Sequence, residues 1–404
     1  MSVSATAVGE NHAAAIRRFV VATLVSVTGD ALTLVALPFA VLAAGGTAAD
    51  VGLAMSARAV SMVVFLLLGG IAGDRLPRTT LLVTSNVLRA GVQLAVGLTL
   101  STAASLPVLL LLQAGHGAAS AVYLPTASGL VRQLAGGETV QRVNAALNTA
   151  VAVAMTGAPV LAGLLLIWVL PSICIMLDGA SFLIAAALLA TVPRGRAEAD
   201  RGAGVLDDLR LGWRSFRSMT WLWAGVLYGG MFHLAVQGTL HVAGPVVAAR
   251  ALGGGPAWGI LMGANGVGAI AGSLAASRVR SARPLTVFYR LFVLALPMPI
   301  ALAFAVPVWA QCPSQAAAGF AIGMGSVLWE STIQRTAPPD QVSRLSAYDW
   351  LGSSALRPLG LAAAGPAVDL LGTMPVFLAA TAVLAGTTMV MLAWPAAQRV
   401  SPSA

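Results

Sequence analysis

The chain has 404 residues, of which 58% are hydrophobic and only 9% charged, and its mean hydropathy is +0.87. A water-soluble surface needs about a quarter of its residues charged, so a soluble globular domain is excluded and lipid is the natural solvent. The net charge of +9 comes wholly from arginine, for the chain has no lysine, and the arginines fall in short loops rather than one patch, which excludes a nucleic-acid-binding face.

In chain order, residues 1–16 read as a polar cytoplasmic tail. Arg17 and Arg18 then precede a first apolar span at 19–43, expected to be a retained helix rather than a cleaved leader. Further spans follow at 51–70, 79–99, 103–131, 143–169 and 172–191, each long enough to cross about 30 Å of hydrocarbon as a helix. The one long polar stretch, 193–217, carries six arginines and four carboxylates and reads as a cytoplasmic linker. Within it, 206–216 is patterned for a short amphipathic helix on the membrane surface. Spans at 220–247, 256–276, 285–306, 314–333, 347–368 and 374–394 repeat the plan before a tail at 397–404. The expected architecture is an all-α membrane protein of twelve transmembrane helices in two pseudo-symmetric six-helix halves, 17–192 and 218–396.

Arginine placement orients these spans. With a cytoplasmic N-terminus, the even-numbered loops hold Arg75, Arg78, Arg132, Arg142, Arg278, Arg283, Arg335 and Arg344. The opposite loops hold Asp50 and Asp369, with Arg250 the exception. Both termini are therefore expected in the cytoplasm of a plasma (inner) membrane. Cys174 and Cys312 both lie in apolar context, and their spacing argues neither a disulfide nor a metal site.

The turn between spans two and three, from Gly69 to Arg78, is rich in glycine and holds Asp74, Arg75 and Arg78 within five positions. A partial copy lies 203 positions later, where Gly272 matches Gly69, Arg278 matches Arg75, and Ser277 stands in place of Asp74. An offset of half the chain points to internal duplication. Such turns can gate the inner face through ion pairs. Expected latches are Glu330 with Arg278, and Asp74 with an arginine of the other half such as Arg344, with Arg335 and Asp349 nearby. The alternative is a set of surface charges that only sets topology.

Polar groups within the spans are expensive in lipid and mark function. Asp30, midway along span one beside Gly29, is the first candidate for proton coupling, with Arg89 as its partner and Asp178 as a second carboxylate. The alternative is a structural ion pair. Asn86, Arg89 and Gln93 share one helical face, which must point into the bundle. Arg58 and Arg357 either line a path or brace the fold. His233, Gln237 and His241 form one stripe on span seven, able to titrate near neutrality or to act as helix-helix glue. Phe39, Phe65, Tyr228, Phe232, Trp258 and Trp329 are the aromatic candidates for substrate contact. Gly157, Pro159 and Gly163 in span five are expected to bend or closely pack that helix.

These residues carry a resemblance. The Gly69–Arg78 turn resembles the conserved loop between helices two and three of the major facilitator superfamily. The Gly157, Pro159, Gly163 run is similar to the glycine-proline motif of its proton antiporters, with Ala158 interrupting the usual pair. Gly29-Asp30 with Ala36-Leu37-Pro38, the stretch from Tyr123 to Asn148, and Trp329 to Arg335 resemble the bacterial branch of macrolide efflux pumps and the enterobactin exporter. The resemblance spans nearly the whole chain. It implies alternating access and export of amphipathic small molecules, such as drugs or siderophore-like compounds, by proton antiport. Span four departs from the family pattern: it offers Gln113 and His116 where many antiporters carry an arginine, so coupling is expected at Asp30 and Arg89. An importer or facilitator on the same fold, and a non-transporting sensor or lipid scramblase, remain alternatives. No catalytic triad, metal-ligand spacing or phosphate-binding loop appears, so neither an enzyme nor a nucleotide-driven pump is expected. No cofactor is expected either, and the partners expected are a small-molecule substrate, protons and lipid, with the chain a monomer.

Overall fold

The computed structural model describes residues 2–102, 105–135, 139–193, 213–279, 281, 283–338 and 341–399. Helix is the only regular structure among them apart from turns. The chain divides into two compact units. The first comprises Met1–Gly46 with Ala57–Asp200, and the second Thr47–Ser56 with Arg201–Ala404.

The first unit contains α1 (Ser2–Ala43), most of α2 (Ala48–Arg75), α3 (Arg78–Ser101), α4 (Leu106–Leu134), α5 (Thr139–Leu165) and α6 (Pro171–Ala190). Helix α1 packs on α5 and α6, and α3 packs on α4 and α6. The expected N-terminal tail is instead the start of α1, which runs without a break from Ser2. No proline interrupts it there, and Ala15 is buried with Phe19, Leu130 and Leu189 in the core at one end of the unit, so packing fixes the last turns of that segment.

In the second unit, the expected seventh span is α7 (Thr220–Met231), a π-helical turn (Phe232–Gln237), α8 (Gly238–Val247) and a second π-turn (Ala248–Leu252). Gly253, at φ +99°, closes it. Then come α9 (Gly255–Ala276), α10 (Pro284–Leu291), a 3₁₀ turn (Phe292–Ala295) and α11 (Pro297–Ala303). Pro297 and Pro299 supply no backbone N–H, which accounts for the interruption before α11. The unit continues with α12 (Val308–Thr336), α13 (Val342–Ser354), α14 (Arg357–Leu371), α15 (Thr373–Ala393) and α16 (Pro395–Gln398). The expected eleventh span is thus two helices, because Pro358 cannot donate to the turn before it and the helix breaks at 355–356. Most of the linker lies outside the described residues. A helical turn at 213–218 carries Trp213 and Phe216, whose rings lie 5.6–5.8 Å from each other and from Tyr348 of α13.

Among the described residues nine helical stretches are long and apolar enough to cross a membrane, counting Pro284–Ala303 from α10 to α11 as one. Of the other three expected spans, the seventh and eleventh are interrupted as above, and α12 carries Gln311, Gln315, Glu330 and Gln334. Large apolar side chains stand on the outer faces of the helices: Leu111 of α4 is 74% exposed and Leu370 of α14 83%. Trp168 and Trp309 stand exposed at helix ends, the level at which indole rings settle in a bilayer.

The duplication read in the sequence reappears as equivalent helix contacts within each unit. A Cβ on Gly69 would lie 2.4 Å from the Ala121 carbonyl oxygen, and one on its match Gly272 would lie 2.2 Å from that of Phe320. Likewise, a Cβ on Gly117 would meet the Arg58 carbonyl oxygen, and one on Gly319 that of Asn265. In both units a helix pair is brought backbone to backbone by missing side chains.

Candidate functional site

Within the first unit, the polar residues of α1, α2, α3, α4 and α6 converge. Asp30 on α1 accepts from Nη2 of Arg58 on α2 at 2.6 Å. Its other oxygen lies 3.6 Å from Nη1 of Arg89 on α3. Nε2 of His116 on α4 is 3.8 Å from Oδ1, beyond a hydrogen bond but within ion-pair reach if the ring is protonated. The environments differ: the Asp30 side chain is 21% exposed, while that of Arg89 is 4% and that of His116 0%. A carboxylate partly open to water is therefore backed by a sealed guanidinium and a sealed imidazole.

Arg89 is held firmly. Nη2 donates to Asn86 Oδ1 at 2.8 Å, and Asn86 Nδ2 donates to the Leu82 carbonyl one turn back. The guanidinium carbon lies 4.5 Å from the ring centre of Tyr123 and 4.2 Å from that of Phe182, a cation–π sandwich. His116 meets the same Phe182 ring edge-on at 5.6 Å.

One helical turn away lies a second layer. Thr33, three residues after Asp30 on α1, donates to Asp178 Oδ2 at 2.8 Å. Gln93, four residues after Arg89 on α3, donates to the same carboxylate oxygen and to Thr33 Oγ1. Ser181 Oγ lies 3.3 Å from Asp178 Oδ1. The two layers stack because i, i+3 and i, i+4 positions share a helix face. Gly29 makes room for them: a Cβ there would sit 2.1 Å from Ser181 Oγ and 2.3 Å from Asp178 Oδ1. Two guanidiniums, two carboxylates and one imidazole are thus gathered in one low-dielectric neighbourhood. Several buried polar atoms of this group, including Arg89 Nε, both amide ends of Gln113 and both ring nitrogens of His116, have no hydrogen-bond partner among the described residues. Such groups are ordinarily met by water, an ion or a ligand.

The structure therefore brings Asp30, Arg89, Asp178, Asn86 and Gln93 together, and it corrects the expected pairing. Arg58, expected only to line a path or brace the fold, makes the shorter contact with Asp30, and Arg89 the longer. Gln113 and His116, three residues apart on α4, drew notice only for not being arginine. Their shared helix face was the available signal.

In the second unit, His233 and Gln237 fall within the π-turn, and His241 follows on α8. Nδ1 of His233 meets the Gly229 carbonyl and Nδ1 of His241 the Gln237 carbonyl, both at 2.8 Å. A carbonyl only accepts, so Nδ1 carries the hydrogen in each ring, and the His233 ring also meets the backbone of Ser353. Arg357, in the first turn of α14, is close enough for its charge to act on both histidines. Of the aromatic candidates, Phe232 joins a ring cluster with Phe292 at 5.3 Å, and Phe292 in turn packs on Tyr228 at 5.4 Å. Trp258 is 2% exposed with its ring against Gly244, a packing position rather than an open contact surface. Phe39 is buried, whereas Phe65 is 42% exposed.

Of the two expected latches, only that of Glu330 with Arg278 falls on described side chains. Glu330 and Arg278 are both exposed, and among the described residues no ion pair joins them. The partial copy kept arginine but no carboxylate, and Glu330 turns to water instead. Asp349 accepts from Trp329 Nε1 at 3.0 Å. Arg78 donates to the Gly129 carbonyl of α4 at 3.1 Å, and Arg344 is partly buried on α13. The side chains of Asp74 and Arg75 lie outside the described residues. In α5 the helix continues through Pro159, with Gly163 buried and Gly157 beside open space.

The family model described as Major Facilitator Superfamily matches residues 19–361. No curated protein matches the chain. Among solved structures it is similar to the nucleoside transporter NupG, at TM-score 0.76 and 14% identity over 94% of this chain and 98% of that one. A bacterial homologue of the human lysosomal transporter Spinster, inward-facing and unoccupied, matches at TM-score 0.69 and 16% identity over 96% and 95%. A bacterial homologue of the iron transporter ferroportin, inward-facing, matches at 0.66 and 16% over 93% and 98%.

Proposed function

Since this chain belongs to the major facilitator superfamily and is a multi-pass membrane transporter rather than an enzyme, we propose that it is a proton-coupled exporter of amphipathic small molecules. It works by alternating access between two six-helix halves, with both termini in the cytoplasm. The solved neighbours, named for nucleosides, a lysosomal transporter and iron, share a fold and not a substrate. Substrate class therefore rests on the likeness of Asp30 and its surroundings to the macrolide and enterobactin export branch.

The observation that carries the reading is the Asp30 ion cluster. With both carboxylates ionised and His116 neutral, two negative charges offset Arg58 and Arg89. Buried charges persist only when paired, so the group is balanced in this protonation state. A proton arriving on Asp30 leaves Arg58 and Arg89 in excess, and the site then repels a cation. Losing that proton restores a negative centre that draws one in. Proton and cationic substrate thus exclude each other at one carboxylate, the condition for antiport. Asp178, joined through Gln93 and Thr33 to the helices that hold Asp30 and Arg89, is the second proton acceptor.

The test is proton release from purified protein on addition of ethidium, with a macrolide as second probe, comparing wild type with Asp30→Asn. Wild type should release protons as probe binds. Asp30→Asn should release none and should lose export driven by a pH gradient in liposomes. Undiminished gradient-driven export by Asp30→Asn would remove the mechanism. Accumulation in whole cells rather than in inverted vesicles would make the protein an importer.

A further inference from the structure

The second unit holds a cavity of about 930 Å³ that the transport cycle above does not use. It lies where the end of α9, the start of α10, the end of α12 and the segment from α15 to α16 converge. Three arginines line it: Arg283 at the N-cap of α10, Arg335 in the last turn of α12, and Arg399 just after α16. Each belongs to a different stretch of chain, and only the tertiary fold brings them to one cavity. No carboxylate lines the cavity, and none of the three arginines has an ion-pair partner among the described residues. The hydroxyl of Ser331 adds a neutral polar group. Val327, Leu328 and Leu392 add apolar side chains to the lining.

The corner that carries Arg399 is tied down. Gln398 Oε1 accepts from Thr286 Oγ1 at 2.7 Å, and Gln398 Nε2 donates to the Met391 and Leu392 carbonyls at 2.9 and 2.7 Å. The segment bearing Arg399 is thereby pinned to both α10 and α15. Three guanidiniums around one hollow repel one another unless an anion lies between them. Guanidinium forks match phosphate oxygens in pairs.

We propose that this cavity binds the headgroup of an anionic phospholipid. Three features favour a lipid over a soluble anion. The lining mixes arginines with apolar side chains, which suit glycerol and the first acyl carbons and serve no purpose for inorganic phosphate. The cavity lies at the ends of membrane helices, the depth of a headgroup. The arginine distribution places that end on the cytoplasmic side, where anionic lipids concentrate and basic pockets between helices take them. The site lies within one unit and does not depend on the transport reading.

The test is native mass spectrometry of the full-length protein in detergent, with phosphatidylglycerol, phosphatidylcholine or inorganic phosphate added singly. Phosphatidylglycerol should remain bound as one molecule per chain at collision energies that strip phosphatidylcholine. Millimolar inorganic phosphate should not displace it. Replacing all three arginines (Arg283→Gln, Arg335→Gln, Arg399→Gln) should weaken that binding by about a hundredfold. The control Arg290→Gln, at an exposed arginine outside the cavity and charge-matched to each single variant, should leave it intact. If the triple variant fails to fold, Arg283→Gln and Arg399→Gln separately carry the test, each with a smaller loss. Equal retention of the two lipids, or unchanged phosphatidylglycerol binding in the variants, overturns the proposal. Displacement by inorganic phosphate overturns it too, in favour of a soluble-anion site.

Discussion

Arg58 and Arg89 bear on one carboxylate from different surroundings, and that difference separates their roles. The Arg58 side chain is 25% exposed, so its pair with Asp30 is partly screened by solvent. Arg89 is sealed between two aromatic rings with Asn86 fixing one nitrogen. Removing it leaves buried carboxylates short of positive charge and empties the sandwich. Arg89→Ala should therefore destabilise the protein by about 3–5 kcal/mol, the usual loss on breaking a buried pair. Arg58→Ala should cost about 1 kcal/mol or less. Thermal unfolding of both variants in the same detergent checks the order, and equal losses would contradict the environments described here. Asp30 was legible as a candidate because a lone carboxylate at mid-span is rare. Its closest partner was not, because several arginines lie at comparable depth and only packing selects among them.

At the scale of helices, glycine position decides close approach more than glycine count. A Cβ on Gly319 would stand 1.8 Å from the Asn265 carbonyl oxygen, and one on Gly323 would stand 2.0 Å from that of Ala269. Both contacts are to backbone, which cannot rotate away as a side chain can. Gly319→Ala should therefore push α12 off α9 and destabilise by about 1–3 kcal/mol, the range for overpacking. Gly157, read in the sequence as a bending point, meets nothing within 4 Å. Gly157→Ala should be neutral or stabilising by about 0.5–1 kcal/mol, since it removes backbone freedom from a helix without creating a clash. Melting temperatures of the two variants should move in opposite directions or differ sharply, and a large loss at Gly157 would give that position the structural role the sequence suggested. The glycine-proline motif was visible in the sequence, but whether a given glycine faces a neighbour depends on helix rotation.

At the scale of the whole molecule, the arginine bias makes a topology that can be checked from outside the cell. In a background carrying Cys174→Ala and Cys312→Ala, Thr102→Cys should react with an impermeant maleimide on intact cells. Gln141→Cys should react only after permeabilisation. Both native residues are exposed, so failure to label reflects sidedness and not burial. The reverse pattern would invert the orientation and move the arginine-lined cavity to the outer face.

Composition and apolar spans were enough to read a multi-pass helical membrane protein, and motifs such as the Gly69–Arg78 turn carried the resemblance to its family, because each is a linear property. Hydrophobic length sets the number of crossings a chain can make, and charge bias orients its loops. The half-length repeat was legible for the same reason: Gly69 and Gly272 sit at fixed positions along the chain. Where helices break was less so, since Pro358 could have kinked a single span or ended it, and the π-turn at Phe232–Gln237 has no proline to announce it. Only the tertiary structure decided that Asp30, Arg58, Arg89 and His116 meet, and that Asp178 is tied to them through Thr33 and Gln93. Those residues come from five helices and from positions up to 148 apart along the chain, counting 178 − 30. Which faces meet is set by the rotation of each helix about its axis, and that rotation is fixed by where glycine lets a neighbour approach.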